Sequence, residues 1–299
     1  MKRAAALPKA LVRGVWRPHF HPSVSDVIIC LLLVMIIVAT VLPLLYALAL
    51  SFSSNLASVR PGLHLWPSEW SLQGYETAWR RLHLWQPFAN SVYVTVIGTF
   101  CHVLIAAMVA YTLLQRGFPA RSLIVGLLFL TMSVPAEAIM VPLYIVNKQL
   151  GLLNTLTSLI LSGLVSGFSI LLLFNYFRGV PRALIDAARI DGAGDFIIFS
   201  RIYLPVSVPG LAAVSLFEVV GRWNQFTAPL LYLTDETKYT VQLALQRVVA
   251  SNDSVSGGDV VLPNTRMAAV VIGVSVLVLI FPFVQRFFVK GIVLGATKE

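Results

Sequence analysis

Charge is scarce in this chain. Only 12% of its 299 residues are Asp, Glu, Lys or Arg, while 58% are hydrophobic. A soluble domain carries about 25% charged residues, so that class is excluded, and a polytopic α-helical membrane domain is expected instead. Cysteine is nearly absent. Cys30 and Cys101 both fall in apolar runs, without metal-ligand spacing. That rules out a disulfide framework or a cysteine metal site and leaves two packed thiols. No GxxxxGK[ST] phosphate loop occurs, so the chain is not itself a P-loop ATPase. There is no HExxH, and no paired His or Ser/His/Asp set at one membrane depth. Nothing therefore supports catalysis, and no internal repeat is visible.

What is present is a series of long apolar runs. A membrane helix needs roughly 20 such residues. Six stretches qualify, at about 26–50, 88–114, 122–146, 156–177, 205–225 and 267–289. Their flanks carry the orientation signal. Fourteen of the 22 Lys and Arg lie on one side, in the N-terminal tail, after spans two and four, and at the C-terminal end. Lys and Arg mark the cytoplasmic side, so both termini are expected in the cytoplasm. The expected layout is a tail over 1–25, a six-helix domain over 26–289 and a C-terminal tail over 290–299. The +9 net charge thus reflects topology, and no nucleic-acid partner is expected. Ala47-Leu48-Ala49 imitates a cleavage site, but the long tail and apolar run before it suit an uncleaved first span.

Two outer segments are long. Residues 52–86 hold Trp66, Trp70, Trp79 and Trp85. Two readings fit them: an interfacial belt, or a docking surface for an extracytoplasmic partner. Residues 226–265 contain SNDSVSGGD, read as a flexible tip.

The longest inner loop, 178–204, is unusually polar. Pro181 can open a helix, and ALIDAARI follows for two to three turns, with Asp186, Arg189 and Ile190 on one face. Gly192 can take positive φ and end it. A second helix is expected from about Asp195 to Tyr203. Ala187 and Ala188 leave the first helix slim enough to enter a cleft, and Asp186 could meet a partner's cation. The plainer reading is a polar re-entry loop with no partner.

The spacing Asp186-Ala187-Ala188, three residues, Gly192, nine residues, Ile202-Tyr203-Leu204-Pro205 resembles the "EAA" loop of permease subunits of ABC importers. Asp186 stands where that pattern has Glu, one methylene shorter. Gly151-Leu152-Leu153-Asn154-Thr155, Trp223-Asn224 and the Phe288-Val289-Lys290-Gly291-Ile292 end are similar to the carbohydrate-importer branch. LWPSEWSLQGYETAW (65–79) and PFVQRFFVKGIVLGATKE look most like its alginate and polygalacturonate permeases. The resemblance implies an all-α integral membrane fold of six transmembrane helices with a helix-turn-helix coupling loop between helices four and five. It implies half of a pore for an oligosaccharide, possibly a uronate oligomer. The implied partners are a second homologous permease, two cytoplasmic ATPase subunits that hold ATP and Mg, an extracytoplasmic binding protein and membrane lipid, in a bacterial inner membrane. This chain itself would bind no cofactor. Asp186, Ala187, Ala188, Arg189, Asp191 and Gly192 would form the coupling contact.

Ionisable groups inside spans are costly and mark cavities or partners. Glu218 and Arg222 stand one turn apart in span five, in the order that favours a salt bridge. They read either as a self-neutralised packing pair or as pathway-lining groups, with Trp223, Asn224 and Gln225 supplying an aromatic face and amides for a sugar. Arg222 could then grip a uronate carboxylate bidentately. Glu137, between Pro135 and Pro142, reads as a gate residue or as an interhelical hydrogen-bonding partner. His102 reads as a satisfied packing residue. The alternative function is an ion-coupled secondary transporter, although such folds usually show inverted repeats and more spans.

Overall fold

The computed structural model describes residues 24–115, 117–250 and 261–296, with side chains through Pro282. The expected tail over residues 1–25 lies almost wholly outside them, as do the SNDSVSGGD tip and residues 297–299. Among the described residues the chain is helical, and its only strand-like feature is an isolated antiparallel bridge between Ser53 and Trp70. The principal helices are α1 (Val24–Ser51), α2 (Trp85–Leu114), α3 (Arg121–Ser133), α4 (Met140–Gln149), α5 (Leu156–Leu161), α6 (Gly167–Arg178), α7 (Arg182–Ile190), α8 (Val208–Trp223), α9 (Val241–Ala250) and α10 (Pro263–Ala296).

The described residues through Tyr46 form one unit and those from Ala47 onward a second. In the first, α1 is a nearly uniform apolar rod whose side chains are exposed throughout its N-terminal turns. A helix apolar all round belongs in hydrocarbon.

Three helices are long and apolar enough to cross a membrane: α1, α2 and the Pro263–Pro282 part of α10. Three bent pairs pass the same test together. They are Arg121–Ser133 with Ala136–Gln149 (97°), Gly167–Arg178 with Arg182–Ile190 (76°), and Asp195–Val206 with Val208–Trp223 (78°). The first bend follows from Pro135, which sits directly before the 3-10 turn Ala136–Ile139 and cannot continue a helix. Pro142 lies in the first turn of α4, where its missing N–H costs nothing.

The run over 156–177, expected to be one continuous helix, is not one. It is split into α5 and α6, with a break over residues 162–166. The Ser-Gly-rich stretch leaves α5's last carbonyls without intrahelical donors, and other side chains supply them, as described below.

Within the second unit, small residues set the packing. Ala106, Ala107 and Ala110 on α2 are buried against Ile170, Leu173, Phe174 and Phe177 of α6, so the two backbones approach closely. Gly210 on α8 lies so near Tyr176 that an added Cβ would stand 2.5 Å from its ring.

Residues 52–86 are folded rather than looped. Asn264 at the start of α10 donates to the Ser53 carbonyl and to Asn55 Oδ1. Trp79, Phe88 and Trp223 meet edge to face at centroid distances of 5.7 and 5.6 Å. Trp66 and Trp70 remain largely exposed. Tyr75 hydrogen-bonds Ser51, and burial raises its phenol above the ordinary value. Residues 226–250, read from sequence as loop, contain α9, whose Val241, Leu243, Ala244, Leu245 and Val248 are all buried.

Candidate functional site

The first candidate region is built around α7. Pro181 precedes its first turn instead of lying in it. The helix is strongly amphipathic and ends at Gly192, whose φ is +78°, a value that suits a residue without Cβ. Ala193 N–H then bonds back to the Ala188 carbonyl at 2.9 Å. Asp195–Ile198 follows and widens into a π-helical turn, Phe199–Tyr203.

The two alanines divide the helix. Ala188 turns inward with Ile185 against the core of α2 and α6, whereas Ala187 is exposed. Ile190 is 86% exposed and Phe196 78% exposed on either side of the Gly192 turn. Two large apolar side chains standing free on a charged loop are the anomaly of this region, because such groups are ordinarily covered by a partner. Asp186, Arg189 and Asp191 are exposed beside them, and Arg189 pairs with Asp195 at 3.5 Å.

The second region lies inside the helical body. Arg222 is buried, and its guanidinium is fully engaged. Nε donates to Glu218 Oε1 at 2.5 Å, Nη1 to the Leu159 carbonyl at 3.2 Å, and Nη2 to the Gly163 carbonyl at 2.7 Å. The accepting carbonyls belong to the end of α5 and the break after it. A cation there complements the negative end of the helix and satisfies groups that hydrocarbon could not. The side chain fits because two residues lack a Cβ. One added at Gly98 would stand 2.4 Å from Nη1, and one at Gly163 would stand 2.9 Å from Nη2.

His102 completes the cluster. It is fully buried, with Nδ1 2.9 Å from the Gly163 carbonyl and Nε2 2.8 Å from Ser169 Oγ. The carbonyl only accepts, so Nδ1 carries a proton, and in the neutral ring Nε2 accepts from the Ser169 hydroxyl. Glu218 Oε1 lies 3.5 Å from the same Nδ1. A cavity of about 250 Å³ opens beside this cluster, lined by Glu218, Gln225, Ser166 and His102 among others.

The sequence-derived residues are thus only partly brought together. Glu218 and Arg222 share the cluster, but Arg222 points at backbone carbonyls and has no free fork for a uronate carboxylate. Trp223 turns away. It is 1% exposed, and its indole N–H donates to the Gly273 carbonyl on α10 at 2.8 Å. The stacking face expected of it is therefore core, because residue 223 follows 222 around the helix toward α10. Asn224 caps α8 and accepts weakly from Gln242 at 3.4 Å. Glu137 is exposed at the α3–α4 bend; its backbone carbonyl accepts from the Met140 N–H, and its carboxylate has no hydrogen bond or ion pair among the described residues.

Residues 102–293 match the model of one protein family, the binding-protein-dependent transport system inner membrane component. The chain belongs to that family. Both regions of this permease, α7 with its turn and the Glu218–Arg222 cluster, lie inside the matched segment. It is 32% identical over 281 residues to the polygalacturonan/rhamnogalacturonan transport system permease protein YtcP of Bacillus subtilis, covering 91% of this chain and 98% of the relative. It is 31% identical to the arabinooligosaccharides transport system permease protein AraQ of Halalkalibacterium halodurans (86% and 91% covered). It is 34% identical to the diacetylchitobiose uptake system permease protein NgcG of Streptomyces coelicolor (74% and 73%). The fold matches a solved bacterial ABC transporter involved in the import of the acidic polysaccharide alginate. That match has a TM-score of 0.80 at 24% identity and covers 89% of this chain and 99% of that one. Nothing in these likenesses supports an ion-coupled secondary transporter.

Sequence reasoning missed two features of this permease. One is the broken span and its carbonyls, for which Ser162, Gly163 and Ser166 within an apolar run were the only signal. The other is buried α9, whose Val241, Ala244, Leu245 and Val248 repeat at helical spacing.

Proposed function

We propose that this chain is one of two permease subunits of an ATP-driven oligosaccharide importer, with six spans, both termini cytoplasmic, and α7 as the element that receives motion from an ATPase. The carrying observation is the exposed pair Ile190 and Phe196 flanking the Gly192 turn, on an otherwise polar segment next to Asp186 and Ala187. A slim helix with an apolar tip and a carboxylate beside it suits a cleft on a soluble partner. The layout of spans is supported by the three long helices and by the bent pairs. In the second pair α7 carries Arg182, Asp186 and Arg189, so it suits water better than hydrocarbon; span four is then α5 with α6.

In this reading two cytoplasmic ATPase subunits bind ATP and Mg and close on the α7 segments of the two permeases. Because Ile185 and Ala188 seat α7 against the core of α2 and α6, the helix moves as a body and carries those spans with it. An extracytoplasmic binding protein delivers the solute, for which the exposed Trp66 and Trp70 offer a docking surface. The substrates named for the relatives point to an oligosaccharide, with a uronate oligomer favoured by the polygalacturonan/rhamnogalacturonan permease YtcP. Glu218, Gln225 and Ser166 line a cavity of about 250 Å³ suited to sugar hydroxyls.

Asp186→Lys and Gly192→Pro are expected to leave membrane insertion intact and to uncouple ATP hydrolysis from uptake. Transport assays in vesicles containing the assembled complex test this. Wild-type uptake in both variants would overturn the coupling role of α7.

A further inference from the structure

A second hollow, of about 520 Å³, lies on the side of α7 turned toward the membrane helices. It is lined by Arg121, Arg178, Arg182 and Arg189, with Asp186 as its one carboxylate. No described carboxylate lies within ion-pair distance of Arg121, Arg178 or Arg182. Arg121 and Arg178 sit over the same Phe174 ring, at 5.1 and 5.7 Å from its centroid. Phe174 is itself buried, so the ring is a fixed platform holding two guanidiniums near each other. Four guanidiniums around one carboxylate leave an excess of like charge that repels, and the arrangement is relieved when a further anion fills it. Guanidinium forks match phosphate oxygens in geometry as well as charge. Tyr111 and Tyr203 add hydroxyls to the lining.

The hollow also has a defined level. Apolar α2 stops at Leu114, apolar α6 stops at Arg178, and apolar α3 starts at Arg121. Three hydrophobic helices therefore meet polar chain here, the depth at which lipid headgroups lie. After Arg121, α3 exposes Leu123, Leu127 and Leu130, one face of the helix at spacings of four and three. That stripe lies on the far side of α3 from Arg121 and marks the helix as lipid-facing at this level, so the anion at hand to enter the hollow is a headgroup rather than a soluble phosphate.

We propose that this hollow is a binding site for the phosphodiester headgroup of an anionic phospholipid, with Arg121 and Arg178 as its principal ligands. Basic pockets between membrane helices take such headgroups. Because Arg182, Asp186 and Arg189 of α7 form the opposite wall, a lipid held there would tie α7 to the ends of α2, α3 and α6. The proposal holds whichever solute the permease carries.

The test uses the full chain, purified with its natural partners into nanodiscs of phosphatidylcholine alone or with 30% phosphatidylglycerol. Native mass spectrometry counts retained lipid, and thermal unfolding reports stabilisation. Wild-type protein is expected to retain phosphatidylglycerol and to be stabilised by it. Arg121→Gln/Arg178→Gln should retain it about tenfold less, whereas Arg60→Gln/Arg80→Gln, on the outer segment, should behave as wild type. Each single Arg→Gln variant should lose about threefold, which settles the matter should the double variant fail to assemble. Equal retention by wild type and these variants would overturn the site. Stabilisation by millimolar inorganic phosphate or ATP but not by phosphatidylglycerol would overturn the lipid as the source of phosphate. Loss of copurifying subunits with lipid retention unchanged would overturn it in favour of a protein contact.

Discussion

Arg222→Met removes the group that closes the break between α5 and α6. Two costs follow. Glu218, with only 17% of its side chain exposed, is left as an uncompensated charge, and breaking a buried pair in this way costs about 3–5 kcal/mol. The carbonyls of Leu159 and Gly163 also lose their donors, and an unsatisfied buried polar group costs about 1–3 kcal/mol. Glu218→Met/Arg222→Met removes the charge problem and leaves only the orphaned carbonyls. The double variant should therefore recover most of the loss while remaining below wild type. At about 2 °C per kcal/mol, the single variant should melt at least ~6 °C lower than wild type, read by fluorescence-detected size-exclusion after heating. Arg222→Lys should fall between, since a single ammonium cannot reach Glu218 and the carbonyls of residues 159 and 163 together. A single Met variant within ~2 °C of wild type, or a double variant no better than the single, would refute the assignment of Arg222 as the cap of α5.

Of two further predictions, the first bears on the same contact and the second on the α7 turn. Gly98→Ala places a Cβ 2.4 Å from Arg222 Nη1, so it should reproduce part of the Arg222→Met destabilisation, and combining the two should add little, because both act on one contact. Ile190→Asp and Phe196→Ser change exposed groups, so stability should shift by no more than about 0.5 kcal/mol. Copurification of ATPase subunits should nevertheless fall sharply, and unchanged subunit recovery on a gel would contradict the docking role of that tip.

The all-helical membrane character was legible because 20-residue apolar runs have no other stable home. The α7 loop was legible too, since its polar periodicity, Gly192 and the spacing to Leu204-Pro205 are local properties of the chain. The family resemblance was legible from that spacing together with the segments at 151–155, 223–224 and 288–292. The sequence also placed Glu218 and Arg222 together, because one turn of helix brings residues four apart into contact regardless of what surrounds them.

What surrounds them was decided only in three dimensions. Trp223, Glu137 and Arg222 were equivalent in sequence as polar or aromatic groups within spans. The fold sent Trp223 toward α10, left Glu137 exposed at a bend, and turned Arg222 onto the carbonyls of a helix broken 60 residues earlier in the chain. Such a contact depends on two glycines, Gly98 on α2 and Gly163 in the break after α5. No local pattern records that pairing. The sequence by itself determined that the chain is helical and apolar and where its polar, glycine-ended helix lies, through hydrophobicity and short-range spacing. The tertiary structure decided which polar groups face a cavity and which are consumed in holding the helices together, because those partners lie far apart along the chain.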